Sequence, residues 1–312
     1  MITRNTFVWI LGTCLLLLGC EKPFDPAVEE ISELVVVSNF TNTDTMRVAV
    51  GEVLSSLDGG QFSYVSDAVV RLFEGDVLIE EMKYIENPGL NTPPYYQSNH
   101  IPIPGVIYSI AVVTEEYPGV RATNYVPDSV VILPNPIYNS TTEQAGSFAQ
   151  KAIFDINFSF EDEPNITNYY HINFYRELFN YKTDPEGNDT TFVKVPVFPL
   201  PVVSENEAIE MVPYIDNRGF LLTDESVGPD NIATLRFSGE LEFGVDQIPG
   251  DFIIEVRAVT EAYYRYHVTL ARQHKASEDE LADPVILYTN IVQGQGVFAG
   301  FNSSFFLIPD SN

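Results

Sequence analysis

From residue 154 to 160 the chain reads Phe-Asp-Ile-Asn-Phe-Ser-Phe, apolar and polar in strict alternation. A period of two gathers the four apolar side chains on one side of an extended strand, an arrangement no helix can produce. A strand so patterned is half-buried and must lay its apolar face on another layer. Similar runs recur along the chain. Met46, Val48 and Val50 alternate, Val106, Tyr108, Ile110 and Val112 share one face, and 34–37, 68–73, 172–175, 232–237 and 252–259 are apolar and rich in β-branched or aromatic residues. Turn chemistry separates them, as at Glu74-Gly75-Asp76 and Tyr117-Pro118-Gly119. These spacings predict an all-β chain of two β-sandwich, immunoglobulin-like domains. The first spans 34–134 and the second, β-rich, spans 151–308, with a tail at 309–312. Residues 135–150 are expected to be a linker, because 139–150 are small, polar and aperiodic. Prolines at 196, 199 and 201 make 195–203 an extended loop or a sheet edge.

One amphipathic helix is predicted, in the second domain. It follows Thr260 as N-cap with Glu261 in its first turn, and Tyr263, His267, Leu270 and His274 recur at spacings of four, three and four on one face. Its expected task is to cover a sheet.

The amino terminus carries a different signal. Arg4 is followed by an apolar run of 12 residues, 7–18. That length fits a signal-peptide core and falls short of the roughly 20 residues that cross a bilayer as a permanent helix. Leu17-Leu18-Gly19-Cys20 resembles the bacterial lipoprotein signal. The resemblance implies cleavage after residue 19, a diacylglycerol on the Cys20 thiol and acylation of the new amine. Each buried CH₂ contributes about 0.8 kcal/mol, so several acyl chains hold durably where one does not. Cys20 is thus the expected lipid attachment site and outer-membrane lipid the expected partner. The only other cysteine, Cys14, lies in the discarded peptide, which leaves neither a disulfide nor a thiolate metal site. Residues 20–33 read as an acidic tether. Glu21, Asp25, Glu29 and Glu30 resemble the acidic stretch after the lipid cysteine in surface-exported lipoproteins of the Bacteroidota, although Lys22 interrupts it.

Sixteen lysines and arginines stand against 44 aspartates and glutamates, a net charge of −28. Such a chain repels nucleic-acid phosphate, so no nucleic-acid partner is expected, and it steers cationic cargo toward itself. With 21 Phe and 17 Tyr it can build a large aromatic core.

Near the carboxy terminus "YTNIVQGQGVFAG" places Gly294, Gly296 and Gly300 close together. A dinucleotide-binding loop would need a helix starting at its glycines and an acidic residue about 20 positions on. The segment 301–312 leaves no room for either. The glycines are therefore expected to permit positive φ or close backbone approach, with Val297 and Phe298 in the core. This segment resembles the carboxy-terminal signature of a Bacteroidota lipoprotein family catalogued as domain of unknown function 4249. "ELVVVSNF" (33–40), "GVIYSIAVV" (105–113), "TEAYYRYH" (260–267) and the lipoprotein start extend the likeness over nearly the whole chain. The resemblance implies a two-part β protein attached to the outer membrane and associated with TonB-dependent transporters. It carries no catalytic residues.

No His-Glu-x-x-His, Gly-x-Ser-x-Gly or Gly-Lys-Ser/Thr motif occurs, and no catalytic residue, cofactor or metal site is assigned. On a helix His267 and His274 would lie roughly 10 Å apart, too far to chelate one ion together. The acidic clusters 161–163, 184–189 and 278–280 are read as solvated turns, because none has the spacing of a calcium loop. The candidate ligand-binding residues are Tyr95, Tyr96 and His100 in the proline-stiffened loop 91–100, with capping of the first sandwich as the plainer alternative. The expected function is that of a non-enzymatic, lipid-anchored outer-membrane accessory protein, facing the exterior, that binds cargo or a TonB-dependent transporter. A structural or adhesive surface module and a surface glycan or peptide hydrolase are the alternatives.

Overall fold

The alternating run becomes a long central strand, β12 (Ala149–Glu161), in which Phe154, Ile156, Phe158 and Phe160 are buried while Asp155 faces solvent. The computed structural model describes residues 33–53, 62–89, 92–184, 190–207, 209–227, 230–279 and 281–309. The signal, Cys20 and the tether up to residue 32 lie outside them, as do 310–312. Among the described residues the protein is mostly β, with twenty strands and one α-helix.

β12 pairs antiparallel with β18 (Ile232–Gly244) over thirteen positions, from Ala149 opposite Gly244 to Glu161 opposite Ile232. Together with β10 (Val131–Ile132), β11 (Ile137–Gln144) and β15 (Val202–Ser204) they form a five-stranded sheet. Its apolar face meets β13 (Tyr169–Thr183) and β19 (Gln247–Val259), whose Ile172, Phe174, Phe252, Ile254 and Val256 are fully buried. The contact is aromatic at its centre. Phe174 sits 5.9 Å from Phe158 and 4.9 Å from Phe237 between ring centroids, within the range where edge and offset packing is favourable.

The other face of the β13–β19 sheet is covered by α1 (Glu261–Ser277). Ala262, Tyr263, His267, Val268 and Ala271 are its buried residues, and they pack near Leu221, Val259, Val297 and Ala299. Leu270 and His274, expected on the same stripe, are half-buried at its margin.

In the first half, β1 (Leu34–Phe40) and β2 (Arg47–Val53) face a four-stranded sheet of β4 (Val69–Glu74), β5 (Val77–Glu81), β8 (Ile107–Val113) and β9 (Val120–Tyr125). Val36, Val48, Val70, Leu72, Tyr108 and Val112 form the core between them.

Two expectations about domain organisation need correction. First, the halves share a sheet. The last strand, β20 (Gln295–Ile308), pairs parallel with β1 through residues 295–300 and antiparallel with β19 through 301–308. The sheet so formed has eleven strands and runs through both halves, and the residues from 33 onward form one compact unit. Phe298 of β20 completes the first core, 4.6 Å from the Phe40 ring. Second, 135–150 is no linker: β11 pairs with β12 over eight positions in a hairpin. β11 needs no apolar alternation because it is an edge strand held by backbone hydrogen bonds, with Tyr138 alone reaching inward to 4.6 Å from Phe252.

The glycines do what the shared sheet demands. A Cβ on Gly296, which has φ +105°, would stand 2.1 Å from the Val36 carbonyl oxygen, and one on Gly300 would stand 1.9 Å from that of Tyr125. Only a residue without a side chain lets backbone approach this closely. Residues 195–201 run mostly outside strands and enter β15 at the sheet edge, as their prolines dictate. Among the described residues no helix is long and apolar enough to cross a membrane.

Candidate functional site

The aromatic loop does not assemble a binding face. Tyr96, in β7 (Tyr95–Gln97), is 2% exposed; its hydroxyl accepts from the Ala68 N–H at 2.9 Å and donates to the Val65 carbonyl at 3.0 Å. It is a core tyrosine with a satisfied polar end, so it has no face to offer a ligand. His100 Nε2 pairs with the Tyr108 hydroxyl at 3.0 Å. Tyr95 is half-buried beneath the Arg47 guanidinium, 5.3 Å from its ring centre. Tyr96 belongs to the first core, and His100 satisfies the core residue Tyr108.

A buried polar network lies between α1 and the long sheet. His171 on β13 and Tyr263 on α1 share a hydrogen bond at 3.0 Å, and Arg257 on β19 donates to the same tyrosine at 3.2 Å. Arg257 also donates to Glu255 at 2.9 Å, and Glu255 accepts further from Tyr175 at 2.6 Å, Asn173 at 3.1 Å and Ser303 at 2.6 Å. Burial alone would raise the Glu255 carboxyl. Arg257 beside it and the bonds from Arg257, Ser303 and Tyr175 hold it below its ordinary value. His267 bonds Tyr214 at 3.1 Å. Burial, reinforced by Arg257, presses both imidazoles toward the neutral form, His267 down to about 3 and His171 well below its ordinary range. With both histidines neutral and the carboxylate saturated by donors, the network fixes helix to sheet.

A cleft of about 660 Å³ lies elsewhere. Four separate segments build it: the crossing from β9 to β10, the turn between β12 and β13, the end of β19, and the first turn of α1. Tyr125 and Tyr169 supply aromatic surface, and Asp128, Glu161, Asp162, Glu163 and Glu261 supply five carboxylates, with no lysine or arginine among the lining residues. The turn is held in shape from within. Asn168 donates to Asp162 at 3.1 Å and to the Glu163 carbonyl at 2.7 Å, while the buried Tyr170 hydroxyl donates to Asp162. Burial and then Asp162 raise the Tyr170 phenol, which stays protonated as that donor. Thr260 is 3% exposed, and its Oγ1 has no partner among the described residues. It occupies the N-cap position in extended conformation without making the side-chain cap that its residue type suggests.

Such a cleft suits a cation. Carboxylates lining a concave wall focus negative potential, and tyrosine faces attract ammonium and guanidinium groups. The cluster 161–163 was visible in the sequence only as an acidic turn. Nothing in sequence spacing could bring Asp128, Tyr169 and Glu261 to it, because β-sheet pairing places them there. Most of the cluster 184–189, together with Glu280, lies outside the described residues.

No curated protein matches the chain. The family profile described as Domain of unknown function (DUF4249) matches residues 21–304, nearly the whole length and including the glycine-bearing strand that joins the two halves, so the chain belongs to this family.

Proposed function

We propose that this is a lipid-anchored outer-membrane accessory protein, facing the exterior, that captures cationic cargo for a TonB-dependent transporter or docks on that transporter. In this reading it is a binding protein and not an enzyme, and its two halves are immunoglobulin-like modules fused through a shared sheet. The cleft carries the reading: five carboxylates and two tyrosines in one concavity form a receptor surface for positive charge. The Leu17-Leu18-Gly19-Cys20 signal supports the anchor, and a net charge of −28 supports steering of basic cargo.

The test uses the full-length protein in detergent with a fluorescent oligo-arginine peptide as probe. Anisotropy should report binding that weakens with salt and falls at least tenfold when Asp128, Glu161 and Glu163 are changed together to the corresponding amides. Equal binding by the triple variant overturns the cleft assignment. For the anchor, Cys20→Ser should release the protein from the membrane fraction, and co-purification from solubilised outer membrane that never recovers a transporter counts against docking.

A second reading, a structural or adhesive surface module, draws on the neighbouring tips of the β11–β12 and β18–β19 hairpins. They are joined by a Val245 N–H to Phe148 carbonyl bond, and Phe148 is 83% exposed. A strain that imports normally but loses attachment when the protein is deleted selects this reading.

A further inference from the structure

The carboxy-terminal end of α1 meets a 3₁₀ turn, Ile215–Asn217, and the junction brings three metal-ligating side chains together. Asp216 comes from the turn, His274 from the last turn of the helix, and Glu278 from its C-cap. One donor atom from each lies within 4.8 Å of the other two. His274 Nε2 stands 3.5 Å from Asp216 Oδ1 and 4.0 Å from Glu278 Oε1. Yet Nε2 is itself shielded from solvent and makes no hydrogen bond among the described residues. A shielded imidazole nitrogen facing two carboxylates without bonding either is short of one partner.

We propose that Asp216, His274 and Glu278 bind a divalent first-row metal ion, with zinc as the best match. Zinc accepts nitrogen at 2.0–2.1 Å and carboxylate oxygen at 2.0–2.2 Å, so two ligands at a tetrahedral angle stand roughly 3.4 Å apart. The Asp216–His274 separation of 3.5 Å is close to that value, and Glu278, an exposed side chain 4.0 Å from His274 and within 4.8 Å of Asp216, needs to move inward. One imidazole and two carboxylates select zinc over calcium or magnesium, which prefer oxygen alone.

Two features favour a cation here. The helix dipole places partial negative charge at this end of α1, which attracts positive ions. Asp216 adopts φ +56°, a left-handed conformation that an aspartate tolerates better than most residues, and this turns the chain toward the helix end. Arg272 and Lys275 line the same recess and offset part of the carboxylate charge, which sets the site apart from the wholly acidic cleft. Three protein ligands leave the ion's remaining position to water or to a donor from outside, and the bound ion clamps the end of α1 to the 215–217 turn. This site stands independently of the cargo-binding reading.

The test is calorimetric titration of Zn²⁺ into the full-length, tag-free protein in detergent after stripping with a chelator. One equivalent should bind with micromolar or better affinity in the presence of millimolar Mg²⁺ and Ca²⁺. His274→Gln and Asp216→Asn should each weaken that binding at least tenfold. Circular dichroism confirms the fold of each variant, and Glu278→Gln replaces any variant that fails to fold. X-ray absorption at the zinc edge should report a single imidazole with oxygen ligands. Binding of fewer than one equivalent, or one equivalent bound equally well by the folded variants, overturns the proposal.

Discussion

Replacing Gly296 by alanine should unfasten the two halves. At φ +105° an L-residue is strained by about 1–3 kcal/mol. The new Cβ would also stand 2.1 Å from the Val36 oxygen and 2.9 Å from its carbonyl carbon, where ordinary contact begins near 3.4 Å. Both atoms are backbone, so β1 and β20 must part by more than an ångström across a parallel pairing of six positions. Losing two of its hydrogen bonds adds about 2 kcal/mol. The total, about 3–5 kcal/mol, should lower the urea midpoint by roughly 1–2 M. Far-ultraviolet circular dichroism is the assay, since the only tryptophan, Trp9, lies outside the described residues. Gly146→Ala is the control: a Cβ there meets nothing within 4 Å, and the midpoint should stay or rise slightly. Equal midpoints for Gly296→Ala and the parent protein would refute the close-approach reasoning.

Acid should weaken the helix–sheet junction. His171 and His267 are held neutral in the fold, so the unfolded chain binds more protons once pH falls below about 6.5, and stability drains as pH drops from there toward about 3. Each histidine should cost about 2 kcal/mol between pH 7 and 5, read as a falling urea midpoint, and His267→Gln should halve the slope. A flat profile over that interval would mean that the two imidazoles take up protons in the folded protein as readily as in the unfolded chain. Phe158→Ala should cost about 3–5 kcal/mol, because the ring is buried among Phe160, Phe174 and Phe237; Phe148→Ala, at an exposed tip, should change stability little.

What the sequence disclosed follows the range of the forces involved. Alternation from 154 to 160 and the spacing of Tyr263 and His267 reflect one face of one element, and both appear in the fold as read. Gly296 was legible as a glycine of close approach, although its neighbour, Val36, lies some 260 residues away. β11 was missed because an edge strand draws stability from backbone bonds that leave little pattern in side chains. Tyr96 looked available because tyrosine carries a polar tip; the Val65 and Ala68 backbone groups that satisfy that tip are also distant in sequence. The cleft and the Asp216–His274–Glu278 junction combine turns with a helix end, and no local period encodes their meeting.

Because β20 inserts between β1 and β19, a ribosome that has synthesised 290 residues has yet to supply Phe298 to the first core and Val297 and Ala299 to the layer beneath α1. The nascent polypeptide lacks the central seam of its widest sheet, whereas the buried aromatic cluster between β12–β18 and β13–β19 is already present, so that layer can compact before the halves join. The two halves can lock together only once residues 295–308 are in place.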